Sequence, residues 1–275
     1  MGTLYLVATP IGNLEDISPR ALRILREARL IAAEDTRVTR KLLTHFDLHT
    51  PLTSYFEHNK VTKLDSILSS LSYGDVALVS DAGTPAINDP GYELVGAALQ
   101  AGHNVCPIPG PSAPMAALAA SGLPTDTFLY LGYLPRRSSD RKALLGKIAD
   151  LPYTLIFLES PHRLLDGLAD LESNLGDRRI AVARELTKVH EEIWRGLLSA
   201  ARAYFGDNEP RGEFTLVVAG KTKDEKQNWS EDQVVQAIQD GLKSGEAPAG
   251  LAKRVAGESG WERQEIYRRL TRQKK

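Results

Sequence analysis

Four turns in the first half of the chain gather the residue types that could do chemistry. They are Thr9-Pro10-Ile11-Gly12-Asn13, Ala33-Glu34-Asp35-Thr36-Arg37, the run SDAGTPAINDPG from Ser80 to Gly91, and Pro109-Gly110-Pro111-Ser112-Ala113. Glu34 and Asp35 stand just ahead of Arg37, Arg40 and Lys41. A carboxylate beside cations suits a hydroxyl that neighbours a phosphate, since one end needs a proton acceptor and the other a counter-charge. A second polar group lies farther along, with Glu185 and Lys188 in ARELTK and Glu213 in GEF. None of the four turns is a phosphate cradle. The chain lacks G-x-x-x-x-G-K-[ST] and any G-x-G-x-x-G after a strand. Proline in three of the turns removes amide donors that an anion would use. A ligand neutral or cationic at its reactive end fits them better. His45 and His49, four apart, have no acidic partner at ligand spacing, so no metal is expected.

Turns of this kind need strands to end in them. Apolar, β-branched runs alternate with helical stretches, the pattern of a mostly parallel α/β sheet. TLYLVA, RLIAAED, VALVSD and HNVCPIP read as strands, each running into one of the four turns. In open sheets of this class, ligands gather outside the carboxyl ends of the strands. Ser18-Pro19 and Asp89-Pro90 each read as an N-cap followed by a first-turn proline. SAPMAALAAS reads as a helix stopped by Gly122, and the pattern resets over 122–127. Three parts follow from this: an N-terminal α/β domain over 1–122, a second α/β domain over 123–222 and a helical module over 228–275. TFLYLGYL, YTLIFLE, RIAVARELT, EEIWRG and EFTLVVAG supply the second sheet, which three adjacent strand-like runs make partly antiparallel. Ser160-Pro161 caps a helix carrying Leu164, Leu165, Leu168 and Leu171.

After Lys221 the polar run KTKDEKQNW reads as a linker. Ser230 with Gln233 fits a capping box, and two further short helices follow around a turn bracketed by Gly257 and Gly260. Their inner face would hold Leu251, Ala252, Val255, Ile266, Tyr267 and Leu270. From Lys253 to Lys275 there are eight cations against three anions, a net of +5 in a 275-residue chain whose total is only −1. That imbalance makes Lys253, Arg254, Arg263, Arg268 and Arg269 candidates for phosphate contacts. A single cysteine and the lack of a long apolar run point to a cytoplasmic protein with no membrane partner.

TPIGN, AAEDTR, SDAGTPAINDPG, PGPSA, ARELTK and GEFTLVVAG, in that order, resemble the tetrapyrrole methylase superfamily. Within it the likeness is to the branch that methylates a cytidine 2'-hydroxyl in 16S ribosomal RNA. It extends from about residue 3 to the C-terminus. Porphyrin and corrin methylases carry a Gly-Pro-Gly-Asp-like first turn, and Pro10-Ile11-Gly12-Asn13 departs from it, against a tetrapyrrole substrate. The resemblance implies a two-domain class III-type methyltransferase with a parallel N-terminal sheet and a mixed second sheet. It implies S-adenosylmethionine as methyl donor, the small ribosomal subunit as partner and a homodimer. It places Pro10, Asp81, Ala82, Gly83, Thr84, Ser112 and Ala113 on the cofactor from the first domain, with Leu158, Ala183 and Phe214 from the second. Glu34 or Asp35 would orient the ribose hydroxyl. Arg37 and Lys188 would hold phosphates, with Arg40, Lys41, Glu185 and Glu213 around them. Two other readings stay open: the same cofactor with a tetrapyrrole or protein acceptor, and a ribosome-assembly factor without catalysis.

Overall fold

Five short runs of branched and small apolar residues form the first sheet: β1 (Thr3–Val7), β2 (Leu30–Ala33), β3 (Leu52–Ser54), β4 (Val76–Val79) and β5 (Asn104–Ile108). All pair in parallel, in the order β3-β2-β4-β1-β5. The computed structural model describes residues 2–57, 59–208, 210–222 and 229–272. The chain divides into two compact units, Met1–Gly220 and Lys221–Lys275, and both sheets lie in the first.

Side chains alternate across the first sheet, so both faces must be covered. Ala77 and Val79 of β4 join a cluster with Ile24 and Leu25 of α1 (Pro19–Glu27) and Leu42 of α2 (Thr36–His45). Val76 and Leu78 face the other way, toward Ile67 and Leu71 of α3 (Lys60–Tyr73) and Leu94 of α4 (Tyr92–Gln100). The chain therefore leaves β1 toward one face and β4 toward the other. A crevice opens where two neighbouring strands send their connections apart. Its mouth is tied by a two-bond bridge, in which Thr9 and Gly83 exchange N–H···O contacts of 2.9 and 3.0 Å.

Ser18 caps α1 as expected, its Oγ accepting from the Ala21 amide at 3.1 Å. Asp89-Pro90 does not start a helix. The run from Ser80 to Gly91 stays a loop, with Ala86 and Asn88 at φ of 67° and 63°, and α4 begins only at Tyr92. Gly91, at φ 144°, allows this passage, for a Cβ there would lie 2.7 Å from Leu78 Cδ2. The loop thereby lies over the strand ends and does not wind into the helix.

The second sheet holds β6 (Phe128–Tyr133), β7 (Thr154–Glu159), β8 (Arg179–Arg184), β9 (Glu192–Leu197) and β10 (Phe214–Val218), in the order β6-β7-β10-β8-β9. Only β6 and β7 are parallel, so the sheet is mixed as the sequence implies. One face packs Leu155, Phe157, Val182 and Leu216 against α6 (Ser138–Ile148), α7 (Leu164–Leu175) and α8 (Leu198–Asp207). The other packs Ile156, Ala181, Ala183 and Val217 against Ala117 and Leu118 of α5 (Ala113–Ser121). That helix ends at Gly122 in the left-handed conformation, as the sequence predicts. Ser160-Pro161 opens a 3-10 turn, Pro161–Arg163, and α7 starts after it.

The second unit contains α9 (Glu231–Lys243), α10 (Pro248–Ser259) and α11 (Arg263–Arg272) around Val234, Ile238, Leu251, Val255 and Ile266. The Ser230–Gln233 capping box forms in both directions. Gly257 falls inside α10, leaving Gly260 alone to make the stop at φ 77°. Tyr267 is exposed and leaves the inner face to Ile266 and Leu270. Most of the candidate linker (223–228), the side chain of Arg272, and Lys274 and Lys275 lie outside the described residues.

Candidate active site

The crevice at the carboxyl ends of β1 and β4 opens into a cleft of about 390 Å³ that both sheets line. From the first sheet come Glu34, the turn Asp81 to Thr84, and Ser112 and Ala113 at the start of α5. Leu158, Glu213 and Phe214 come from strand ends of the second sheet. Most of the positions expected around a cofactor thus meet in one space. Ala183 does not reach it: it is buried in the packing beneath α5. Pro10 faces a separate, smaller cavity, while its neighbour Ile11 faces the cleft. Sequence reasoning missed Ile87, Asn88, Asp89, Tyr130 and Tyr133, all on the cleft wall. The SDAGTPAINDPG run holds the signal for three of them, but Asp89 followed by Pro90 also has the pattern of a helix cap, which masks it. Tyr130 and Tyr133 flank a bulge in β6 where Gly132 sits at φ 63°, and a Cβ there would collide with the Asn88 side chain.

Charge is distributed unevenly in the cleft, with no lysine or arginine among the described residues of its wall. Glu34, Asp81 and Asp89 crowd one side. A backbone lattice holds the first two in place: the Asp81 amide donates to Glu34 Oε2 at 3.2 Å, and the Asp35 amide donates to Asp81 Oδ1 at 3.0 Å. Burial, opposed by the Asp81 amide and assisted by the Asp81 charge, pushes the Glu34 carboxyl up from its ordinary range. Asp81 is raised by burial, which outweighs the opposing hydrogen bond from the Asp35 amide. Asp89 is pushed up to about 6, by burial first and then by Glu34. Tyr130 is driven up to about 12 by burial, with Asp89 adding to it, and so stays protonated.

Asp35 behaves differently. It is the N-cap of α2, accepting the Arg37 amide at 2.8 Å, and it grips the Arg37 guanidinium at 2.6 Å. Those contacts hold its carboxyl down at about 2. A carboxylate so acidic and so engaged is a weak proton acceptor, whereas Glu34 is poised for that task. Of the two candidates, the geometry favours Glu34.

Lys188 is held by two acidic partners. Its Nζ donates to Glu185 Oε1 at 2.9 Å and to Glu213 Oε2 at 3.2 Å, so two carboxylates already neutralise it. Its stem packs against the first turn. A Cβ on Gly12 would collide with Lys188 Cγ and approach Thr187 Oγ1 at 2.8 Å, so only glycine lets the turn sit so close. Glu185 and Thr187 adopt φ of 50° and 66° to place this cluster. Glu185, Lys188 and Glu213 therefore form a clamp that seats the turn carrying Pro10.

On α2, Thr39, Leu42 and Leu43 turn inward, and Arg37, Arg40 and Lys41 turn out to line an open groove of about 520 Å³. In the second unit, Arg254 is paired with Glu246 and Glu258, and Arg269 with Glu231 at 2.6 Å while stacked on Trp261. Those two arginines hold the helices together. Lys253, Arg263 and Arg268 are exposed and carry no ion pair among the described residues.

Comparison with known proteins bears on what this cleft is for. The family model of the tetrapyrrole (corrin/porphyrin) methylases matches residues 3–202. The chain belongs to the tetrapyrrole methylase family. A member from Synechocystis sp., ribosomal RNA small subunit methyltransferase I, is 48% identical over 97% of this chain and 96% of its own. The protein of the same name from Bacillus subtilis is 43% identical, over 97% and 93%. Among solved structures, the methyltransferase CobJ superposes with a TM-score of 0.60 at 20% identity, covering 80% of this chain and 95% of its own. Uroporphyrin-III C-methyl transferase from Thermus thermophilus, complexed with S-adenyl homocysteine, gives 0.55 at 22%, over 79% and 97%. These two share the methylase fold. No helix among the described residues is long and apolar enough to cross a membrane.

Proposed function

We propose that this member of the family is an S-adenosylmethionine-dependent methyltransferase acting on 16S ribosomal RNA of the small subunit, at the 2'-hydroxyl of a cytidine. One observation carries the reading: a cleft at the strand ends is walled by five carboxylates, Glu34, Asp81, Asp89, Glu159 and Glu213, with no lysine or arginine among the described residues of its lining. A wall of that sign complements a sulfonium, and Ile11, Ile87, Leu158 and Phe214 offer the apolar surface an adenosine needs. Asp81 to Thr84, Ser112, Ala113, Leu158 and Phe214 would hold the cofactor, which supplies an activated methyl group when bound. Relatives nearly half identical over almost the whole chain, named as small-subunit ribosomal RNA methyltransferases, support the acceptor.

The chain's own part is to orient and deprotonate. Glu34, half-buried and raised above its ordinary range by that burial, accepts the proton as the ribose oxygen gains its methyl group. The Asp81 amide fixes which way that carboxylate points. Arg40 and Lys41 on α2 hold the flanking phosphates, with Lys253, Arg263 and Arg268 of the second unit contributing sequence-independent attraction. We assign 1–122 and 123–222 as the two domains of the methylase and 228–275 as its RNA-binding module, in a cytoplasmic homodimer. The test is incorporation of labelled methyl groups into small ribosomal subunits that lack the modification, followed by mapping of ribose methylation. Methyl transfer to one cytidine ribose is the expected result. Cofactor binding without transfer to the subunit would overturn the acceptor assignment.

A further inference from the structure

A second cavity, about 230 Å³, lies on the α2 side of the first turn. Pro10 and Leu14 wall it on one side, Val38 and Leu42 on the other. Leu14 and Val38 are 38% and 40% exposed, so two large apolar side chains stand at its mouth. Nothing in the packing of the fold calls for them there. Two residues connect this cavity to the surfaces already described. Lys41 lines both it and the open groove bordered by Arg37, Arg40 and His45. Asp81 lines both it and the acidic cleft. Basic groove, apolar cavity and acidic cleft thus run together in that order.

We propose that this cavity receives the unstacked base of the acceptor nucleotide. The proposal rests on the functional reading above and adds where the substrate sits. Its occupant must be flat and largely apolar on its faces, and must be joined to an anionic chain that the groove can hold. A nucleobase on single-stranded RNA meets all three conditions, and such bases are read by insertion between apolar side chains after leaving the stack. The volume falls below the ~300–1,000 Å³ of pockets for drug-sized ligands, which suits one ring system and shuts out a four-ring macrocycle. With the base between Pro10 and Val38, its ribose is brought to Asp81 and Glu34, and its phosphates fall along Arg40 and Lys41. The first turn then separates donor from acceptor, with Ile11 facing one and Pro10 the other.

Val38→Trp and Leu14→Trp fill the cavity from opposite walls, at positions exposed enough to accept the larger ring. Each variant is assayed for methylation of small ribosomal subunits and titrated with S-adenosylmethionine. The expected result is a fall in kcat/KM of roughly ten- to a hundredfold, the range carried by one lost base contact, with cofactor affinity unchanged. Wild-type kcat/KM in both variants overturns the assignment. So does loss of cofactor binding in both, which would give the cavity to the cofactor. If the wild-type protein transfers no methyl group to the subunit, the functional reading fails together with the proposal. An active wild type alongside unaffected variants removes the proposal alone.

Discussion

Two clusters of charge meet at the strand ends, and they are built on opposite terms. Glu185, Lys188 and Glu213 pair with one another, which holds Glu185 below and Lys188 above their ordinary ranges, and the lysine stem packs on Gly12. Glu34, Asp81 and Asp89 have no cation on their wall and are all pushed upward by burial. A satisfied cluster stabilises the fold that contains it. An unsatisfied one costs stability and persists where a ligand completes it. Side by side, the two show that residue type alone does not assign a role: Lys188 is tied to two carboxylates, while Asp89 looked like a helix cap and lines the cleft.

The comparison can be broken most forcefully at Glu34. Glu34→Gln should lower kcat about 10²–10⁴-fold while leaving cofactor affinity nearly intact, measured by single-turnover methyl transfer and calorimetry. Near-wild-type turnover would return the proton to Asp35 or to solvent. Lys188→Met should act through stability. Two carboxylates lose their partner, and the denaturation midpoint should fall by an amount equivalent to about 1 kcal/mol, the pair being partly exposed. The salt dependence of RNA binding should not change. Arg40→Gln should do the reverse, leaving stability alone and reducing the slope of log affinity against log salt by roughly one. A flattened slope in the lysine variant would reverse the roles given to the two residues.

The smallest effect is a pH signature at Asp89. Its carboxyl is raised in the folded state, so ionisation is easier in the unfolded chain. Folding stability therefore falls as pH climbs from the ordinary carboxylate range to about 6, and is level above that. Asp89→Asn removes the titration. Its melting temperature should exceed that of the wild type above about pH 6, and the gap should close in acid. A gap independent of pH would place the Asp89 carboxyl in ordinary solvent.

The sheets and the four turns were legible because strands buried on both faces read as unbroken apolar runs, and Gly and Pro mark where they end. β3 was not, since Leu52 to Ser54 are only half-buried on an edge and leave no pattern. The serine-rich α3 hid its buried Ile67 and Leu71 in the same way. At the site, most cofactor positions named from the family resemblance do converge on one cleft. Pairing was the part out of reach. Glu185 and Glu213 meet Lys188 through a left-handed turn and a strand crossing, and no spacing in the sequence encodes that. The loop over Asp89 depends likewise on left-handed Ala86 and Asn88, a conformation that alanine seldom adopts.

The helix α5 has a consequence for anyone who would cut this chain in two. Its first residues floor the cleft, yet Ala117 and Leu118 are covered by strands of the second sheet. A fragment ending at Gly122 would carry a greasy, uncovered helix into water, and one beginning there would lack the plug that seals its sheet. The halves are tethered by a shared organ as well as by a covalent bond, so neither is expected to be soluble when expressed by itself.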